Sequence, residues 1–257
     1  MANYLFEARL RAPLIADLPG LHLDSLLAAA VCLQDGSIRD AAGEKTGVRS
    51  TVVSGFKLYH ASSCHIPPNT SSQLVTVVRN RTSAEVGPEF YAGKKVRNTK
   101  NSQAQHPWWF NRGSGDFKNI INTYRALQPG RCYWLAETEE PDRILELLDS
   151  LGGLGKRSRQ GYGEIAGLSY SELPADTSAV LTEKGYPRRV LPAEVYAALL
   201  QDAGLSAPAD VQPTMMRNYA ISGWENPLRK CVCPPNVDLD PVALLGDVDE
   251  TGEIFFG

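Results

Sequence analysis

Gly152-Gly153-Leu154-Gly155-Lys156-Arg157-Ser158-Arg159-Gln160-Gly161-Tyr162-Gly163 places five glycines and three cations in twelve residues. The run follows an amphipathic stretch and feeds an apolar one. Glycines remove the Cβ atoms that would hold a phosphate away, permit positive φ, and free amides to line an anion-binding concavity. Lys156, Arg157 and Arg159 add charge. The nucleotide-binding glycine motifs do not fit. A P-loop requires Ser or Thr after its Gly-Lys, and Arg157 follows Lys156 here. The dinucleotide fingerprint starts after a strand and opens a helix, the reverse of the order seen in this chain. An alternative reading is an ordinary basic loop joining a helix to a strand.

Upstream of the loop, Pro141 occupies a first-turn position that proline tolerates. Ile144, Leu145, Leu147, Leu148 and Leu151 share one face, and Gly152 supplies a C-terminal cap, so the spacing predicts a helix. Downstream, Tyr162 to Leu173 reads as a strand. At the other end of the chain, Tyr4 to Leu10 alternates apolar and polar side chains and predicts a strand that Pro13 closes. Leu23 to Leu33 predicts a helix with Leu23, Leu26, Leu27, Ala30 and Val31 in one stripe and Asp24 in the first turn. His22 sits at its entry, where a histidine serves as a local hydrogen-bond partner or, alternatively, faces a ligand. Gln34 to Ser50 reads as a loop, and Thr51 to His60 and Gln73 to Arg81 as strands. Asn119 to Leu127 and Arg131 to Thr138 read as a hairpin about Gln128-Pro129-Gly130. Strand, helix, strand followed by strand, helix, strand predicts an α+β fold with a ferredoxin-like (RRM-like) core, the basic loop lying between the second helix and the last strand. Residues 1–174 would form this domain, with an insertion at about 82–116. Residues 175–257, which include a predicted helix at Ala193 to Gln201, would be a C-terminal extension packed on it.

Charge is unevenly spread. The chain of 257 residues has a net charge of -3, which does not announce a nucleic-acid binder. Yet Arg79 to Arg131 holds ten Lys and Arg against three Asp and Glu, whereas Asn236 to Gly257 holds six acids and no base. Near-neutrality therefore hides one strongly positive region. Between Thr82 and Gly115 periodicity is lost, and Lys94, Lys95, Arg97, Lys100 and Arg112 interleave with Tyr91, Trp108, Trp109 and Phe110. Charges for a backbone and flat rings for unstacked bases suit single-stranded nucleic acid. Trp108 and Trp109 serve equally well as core or subunit-interface anchors. Five cysteines, an odd number, and the lack of a cationic, apolar leader predict a reducing cytoplasm. Cys231-x-Cys233 has no second ligand pair at zinc spacing, with Cys64 and His65 the remote candidates, so neither a metal nor another cofactor is expected. No apolar run approaches the length of a membrane span.

A strand, helix, strand ending in Gly-x-Gly-Lys-x-Arg-x-x-Gly-Tyr-Gly resembles the glycine-rich loop of the RAMP superfamily, the RNA-binding proteins of CRISPR systems. The helix entry Leu23-Asp24-Ser25-Leu26-Leu27, the run Leu151 to Ile165, and the stretch Tyr219 to Pro235 resemble one branch more closely. That branch is the type IV subunit that binds the 5′ handle of the guide RNA and caps the effector filament. The resemblance covers these three stretches and leaves Arg79 to Asp116 without a matched motif. It implies a non-catalytic subunit of a type IV ribonucleoprotein, working with the complex's backbone and large subunits and meeting target DNA only through them. It further implies RNA contact by Gly155, Lys156, Arg157, Ser158, Arg159, Gln160, Gly161, Tyr162 and Gly163. Lys94, Lys95, Arg97, Trp108, Trp109, Arg112 and His22 are further expected contacts. Two alternatives stand beside it. A metal-independent guide-processing endoribonuclease of the same superfamily needs a general base near a 2′-hydroxyl, and His22, His60, His65 and His106 are scattered through the chain. A small-molecule phosphotransferase would use the glycine loop but lacks a paired-carboxylate metal motif.

Overall fold

The computed structural model describes residues 1–16, 18–67, 70–79, 120–216, 219–220 and 227–235. Two compact units divide the chain, Met1–Ser72 with Ala126–Gly257, and Gln73–Arg125. The first unit holds the glycine-rich run and both side-chain clusters developed below.

The strands are β1 (Ala2–Leu10), β2 (Ser50–Val53), β3 (Phe56–Tyr59), β4 (Ser71–Arg79), β5 (Ile120–Gln128), β6 (Arg131–Thr138), β7 (Ile165–Glu172), β8 (Leu191–Pro192), β9 (Thr214–Met216) and β10 (Arg229–Val232). The helices are α1 (Leu23–Asp35), α2 (Arg39–Gly43), α3 (Pro141–Leu151) and α4 (Ala193–Asp202). The result is a mixed α/β chain with small antiparallel sheets, compatible with the α+β class predicted from the sequence.

One sheet runs β6-β1-β7, with β1 antiparallel to both neighbours. Residues 60 to 65 lie along the outer edge of β6, through bridges Ala61 to Ala136 and His65 to Tyr133. The alternation read in Tyr4 to Leu10 acts as the pleat requires. Phe6 and Ala8 face one side, where they join Trp134 and Ala136 of β6, Leu23, Leu27 and Val31 of α1, and Ile144, Leu147 and Leu148 of α3 in the main core. Leu5 faces the other side and meets Tyr133, Leu135, Leu173 and Ala179. Both faces of β1 are thus covered at this end. Two of the helices stop at glycines in the left-handed region, Gly36 after α1 (φ 70°) and Gly152 after α3 (φ 64°), as a chain that must leave a helix sharply requires.

Three expectations change. Thr51 to His60 is two strands, because Ser54 (φ 50°) and Gly55 (φ 79°) both take the left-handed turn that closes a two-residue hairpin. Gln34 to Ser50 contains the short helix α2. The strands on either side of Pro129-Gly130 are not partners: β5 pairs with β4 while β6 pairs with β1. Nor does the chain reverse there: Leu127 and Leu14 exchange backbone hydrogen bonds (2.7 and 2.8 Å) and Gly130 O accepts from Leu10 N (2.7 Å), in step with Arg131 opposite Arg9, so β5 runs on into β6 past Pro129-Gly130, antiparallel to the segment that begins with β1.

Beyond β7 the chain returns over the first unit. β8, β10 and β9 form a small antiparallel sheet, and Leu191, Val195, Tyr196 and Leu200 pack with Val180, Leu181, Val232 and Leu58 of β3. Among the described residues no helix is long and apolar enough to cross a membrane.

Candidate nucleic-acid interface

The glycine loop is tied to the body at its two ends and in its middle. Leu154 is fully buried in the main core, and its amide donates to Gly163 O at 2.9 Å. The segment that follows β1 supplies two more ties, since Lys156 N donates to Ile15 O (2.7 Å) and Gly163 N donates to Pro13 O (2.8 Å). Close backbone approach explains two of the glycines. A Cβ on Gly155 would stand 2.5 Å from Ile15 O, and one on Gly163 would overlap the Leu154 carbonyl. Both residues have positive φ, 73° and 65°. Gly161 differs. It too is left-handed (φ 86°), but nothing lies within 4 Å of where its Cβ would be. It ends a one-turn 3-10 helix, Ser158–Gln160.

The amides this loop was expected to free are therefore largely used. Those of Leu154, Lys156, Gln160, Gly161 and Gly163 all donate to backbone carbonyls within the loop or its tether. What the loop turns outward is side chains. Lys156, Arg159 and Gln160 are exposed, and Arg157, Ser158 and Tyr162 are half-buried. Arg157 has φ 64°, the left-handed region that a side chain pays roughly 1–2 kcal/mol to enter. A cation held there against its own preference marks the segment for attention. Beside the loop, Arg11 pairs with Glu164 at 3.2 Å.

The loop residues 155–163 are thus brought together as one surface feature. Lys94, Lys95, Arg97, Trp108, Trp109 and Arg112 lie outside the described residues. His22 is elsewhere, inside the protein and 1% exposed. Its Nε2 donates to Pro19 O at 2.9 Å and its Nδ1 accepts from Arg189 at 3.1 Å, which fixes a neutral ring with the proton on Nε2. Burial and the neighbouring Arg189 charge bring its pKa down to about 4. A ring so enclosed presents no edge to a ligand, whereas the loop cations do.

No family model matches the chain, and no curated protein matches it. Among solved structures it is similar to a crystal structure of a CRISPR protein from Archaeoglobus fulgidus, with 10% identity over 91% of this chain and 86% of that one. The TM-score is 0.31, and a likeness of that size carries no argument about what this chain does.

Two clusters escaped the sequence reading. Arg189, 1% exposed, donates from Nη1 to Tyr59 O (2.7 Å) and Ala61 O (3.0 Å), and from Nη2 to His22 Nδ1 and Asp24 Oδ2 (3.1 Å each). Asp24, read as a helix-dipole partner, is fully buried and forms an internal ion pair with it. The second cluster is Thr51, His60, Glu137 and Arg49. Thr51 Oγ1 lies 2.8 Å from His60 Nε2, His60 Nδ1 lies 3.2 Å from Glu137 Oε2, and Arg49 binds Glu137 Oε1. Four residues drawn from three separated stretches leave no spacing to recognise.

Proposed function

We propose that this chain is an RNA-holding subunit of a type IV CRISPR ribonucleoprotein, binding the 5′ handle of the guide RNA through its glycine-rich loop. The observation that carries the reading is the loop itself. It is pinned by Leu154, Gly155 and Gly163, and it projects Lys156, Arg157 and Arg159 from the junction of α3 and β7. A rigid base with long cationic side chains suits a phosphate backbone, where charge supplies affinity and fixed anchors supply register. The strand order is in keeping with a ferredoxin-like core: β7, β1, β6 and then the segment at residues 60 to 65 follow the sequence of positions 4-1-3-2, with α1 and α3 on one face. The RNA assignment rests on the resemblance of the glycine-rich loop to that of the RAMP superfamily, and the type IV branch on the resemblance of Leu23 to Leu27, Leu151 to Ile165 and Tyr219 to Pro235 taken together.

Within the reading the chain grips RNA and leaves it uncut, and it works beside the other subunits of the complex. The test is a salt titration of handle-RNA binding by the wild-type protein and by the combined Lys156→Ala, Arg157→Ala, Arg159→Ala variant. Each lost phosphate contact removes about one counterion from the slope of log K against log salt. The variant should bind more weakly and with a slope flatter by about two to three. Equal affinity and slope for both proteins would remove the role given to the loop.

A further inference from the structure

The Thr51 cluster is independent of the glycine loop, and the arrangement of its atoms is that of a nucleophile relay. Three backbone hydrogen bonds close a ring through its members: His60 N to Arg49 O (2.8 Å), Glu137 N to His60 O (2.9 Å) and Arg49 N to Glu137 O (2.9 Å). Their side chains are therefore aimed by backbone geometry. Glu137, as a carboxylate, only accepts, so the His60 proton sits on Nδ1 and the Nε2 lone pair faces the Thr51 hydroxyl. Burial holds the His60 pKa below its ordinary value, with Glu137 opposing the shift and Arg49 and Arg189 adding to it, so the ring is neutral at neutral pH and its Nε2 lone pair is unprotonated. Glu137 is 14% and His60 20% exposed, and Thr51 is half-buried, so the cluster lies at the rim of the protein rather than in its core. Arg49 and Thr51, two apart in extended backbone, project from the same side of the chain, which puts a cation on the side of the hydroxyl.

We propose that Thr51, His60 and Glu137 form an acyl-accepting site, in which the Thr51 hydroxyl takes an acyl group from an activated ester. Thr51 Oγ1 adds to the ester carbonyl carbon while its proton passes to His60 Nε2. The oxyanion of the tetrahedral adduct forms on the side that carries the Arg49 guanidinium. Collapse breaks the carbon–oxygen bond to the leaving alcohol, which departs with the proton returned by His60. The products are an ester on Thr51 and a free alcohol, with no other reactant needed. Glu137 is a positioning residue that fixes the ring's tautomer. A secondary hydroxyl is hindered, so the donor must have a good leaving group, as an aryl ester has.

The experiment incubates the full chain with p-nitrophenyl acetate, follows p-nitrophenolate release, and maps acetylated peptides by mass spectrometry. Hydroxylamine treatment distinguishes an ester on Thr51 from an amide on a lysine such as Lys57. Wild type and Thr51→Ser should acquire a hydroxylamine-sensitive acetyl at position 51. Thr51→Val, which keeps the shape, should acquire none there. His60→Gln should slow the reaction by about 100-fold or more, as expected when a general base is lost. Glu137→Gln should slow it about tenfold or more, while circular dichroism shows each variant folded. Absence of position-51 acetylation in the wild-type protein overturns the proposal, and so does acetylation that His60→Gln leaves unchanged. The failure of either leaves the RNA reading untouched, since neither reaction involves the loop cations.

Discussion

The three glycines at residues 155, 161 and 163 share a sign of φ but differ in what surrounds them, so their alanine variants should differ too. Gly161→Ala meets only the left-handed backbone penalty, about 1 kcal/mol. Gly155→Ala and Gly163→Ala add a collision with a carbonyl to that penalty, and each should lower stability by roughly 3 kcal/mol or more, the range of strained or overpacked sites. Urea melts of the three proteins check the order, and three equal losses would show that the loop shifts to absorb the collisions. His22 gives a residue-level pH prediction. Its pKa falls from 6.5 to about 4 on folding, so between those values the unfolded chain binds a proton that the folded chain refuses. Stability is full above about pH 6.5 and declines as pH drops toward 4, by up to roughly 3 kcal/mol. His22→Gln, if it retains the two hydrogen bonds, should flatten that part of the stability curve measured by denaturant titration.

Elements differed in how well their sequences announced them. α1 and α3 were legible because apolar periodicity and terminal glycines agree: Gly36 and Gly152 stop the helices where the stripe ends. β1 was legible because its pleat separates two cores, with Phe6 and Ala8 on one face and Leu5 on the other. The hairpin of β2 and β3 was missed because Ser54-Gly55 lies inside an apolar run that reads equally well as one strand. Pro129-Gly130 misled in the opposite way, since its turn chemistry suggests a reversal whereas residues 127 to 131 carry straight on beside Leu14 to Arg9, which hold them by backbone hydrogen bonds. The loop's charge was visible from the sequence, but its anchoring was not. Leu154 looks like one apolar residue among glycines, and its burial depends on a pocket made by distant elements. Leu154→Ala should cost about 2–5 kcal/mol and, by loosening the base of the cations, weaken RNA binding at low salt. Measuring stability and affinity on the same protein separates that from loss of charge, because the salt slope should remain near the wild-type value.

At the scale of the whole molecule, Arg189 ties the returning chain to the first helix. Its guanidinium joins Asp24, His22 and the carbonyls of Tyr59 and Ala61. Nothing in the local sequence marks this arginine as interior, because Arg188-Arg189 reads as a solvated basic pair. Removing one member of a buried ion pair strands the other, so Arg189→Ala should destabilise the fold by about 3–5 kcal/mol. Arg189→Lys keeps the charge but cannot reach four acceptors at once, and it should recover only part of the loss in a thermal melt.

Asp24 and Arg189 stand 165 positions apart, and this separation bears on how the protein is made. A ribosome adding roughly 5–20 residues per second delivers the arginine about 10–30 s after the aspartate. Until then the first helix carries a carboxylate with no cation beside it, and burying that charge alone is unfavourable. Nearly the first three-quarters of the chain should therefore emerge as an unfinished body, open to proteases and in need of a holding chaperone. Nascent chains stalled short of residue 189 should be cut by a protease pulse, and chains stalled once that residue has cleared the exit tunnel should resist it.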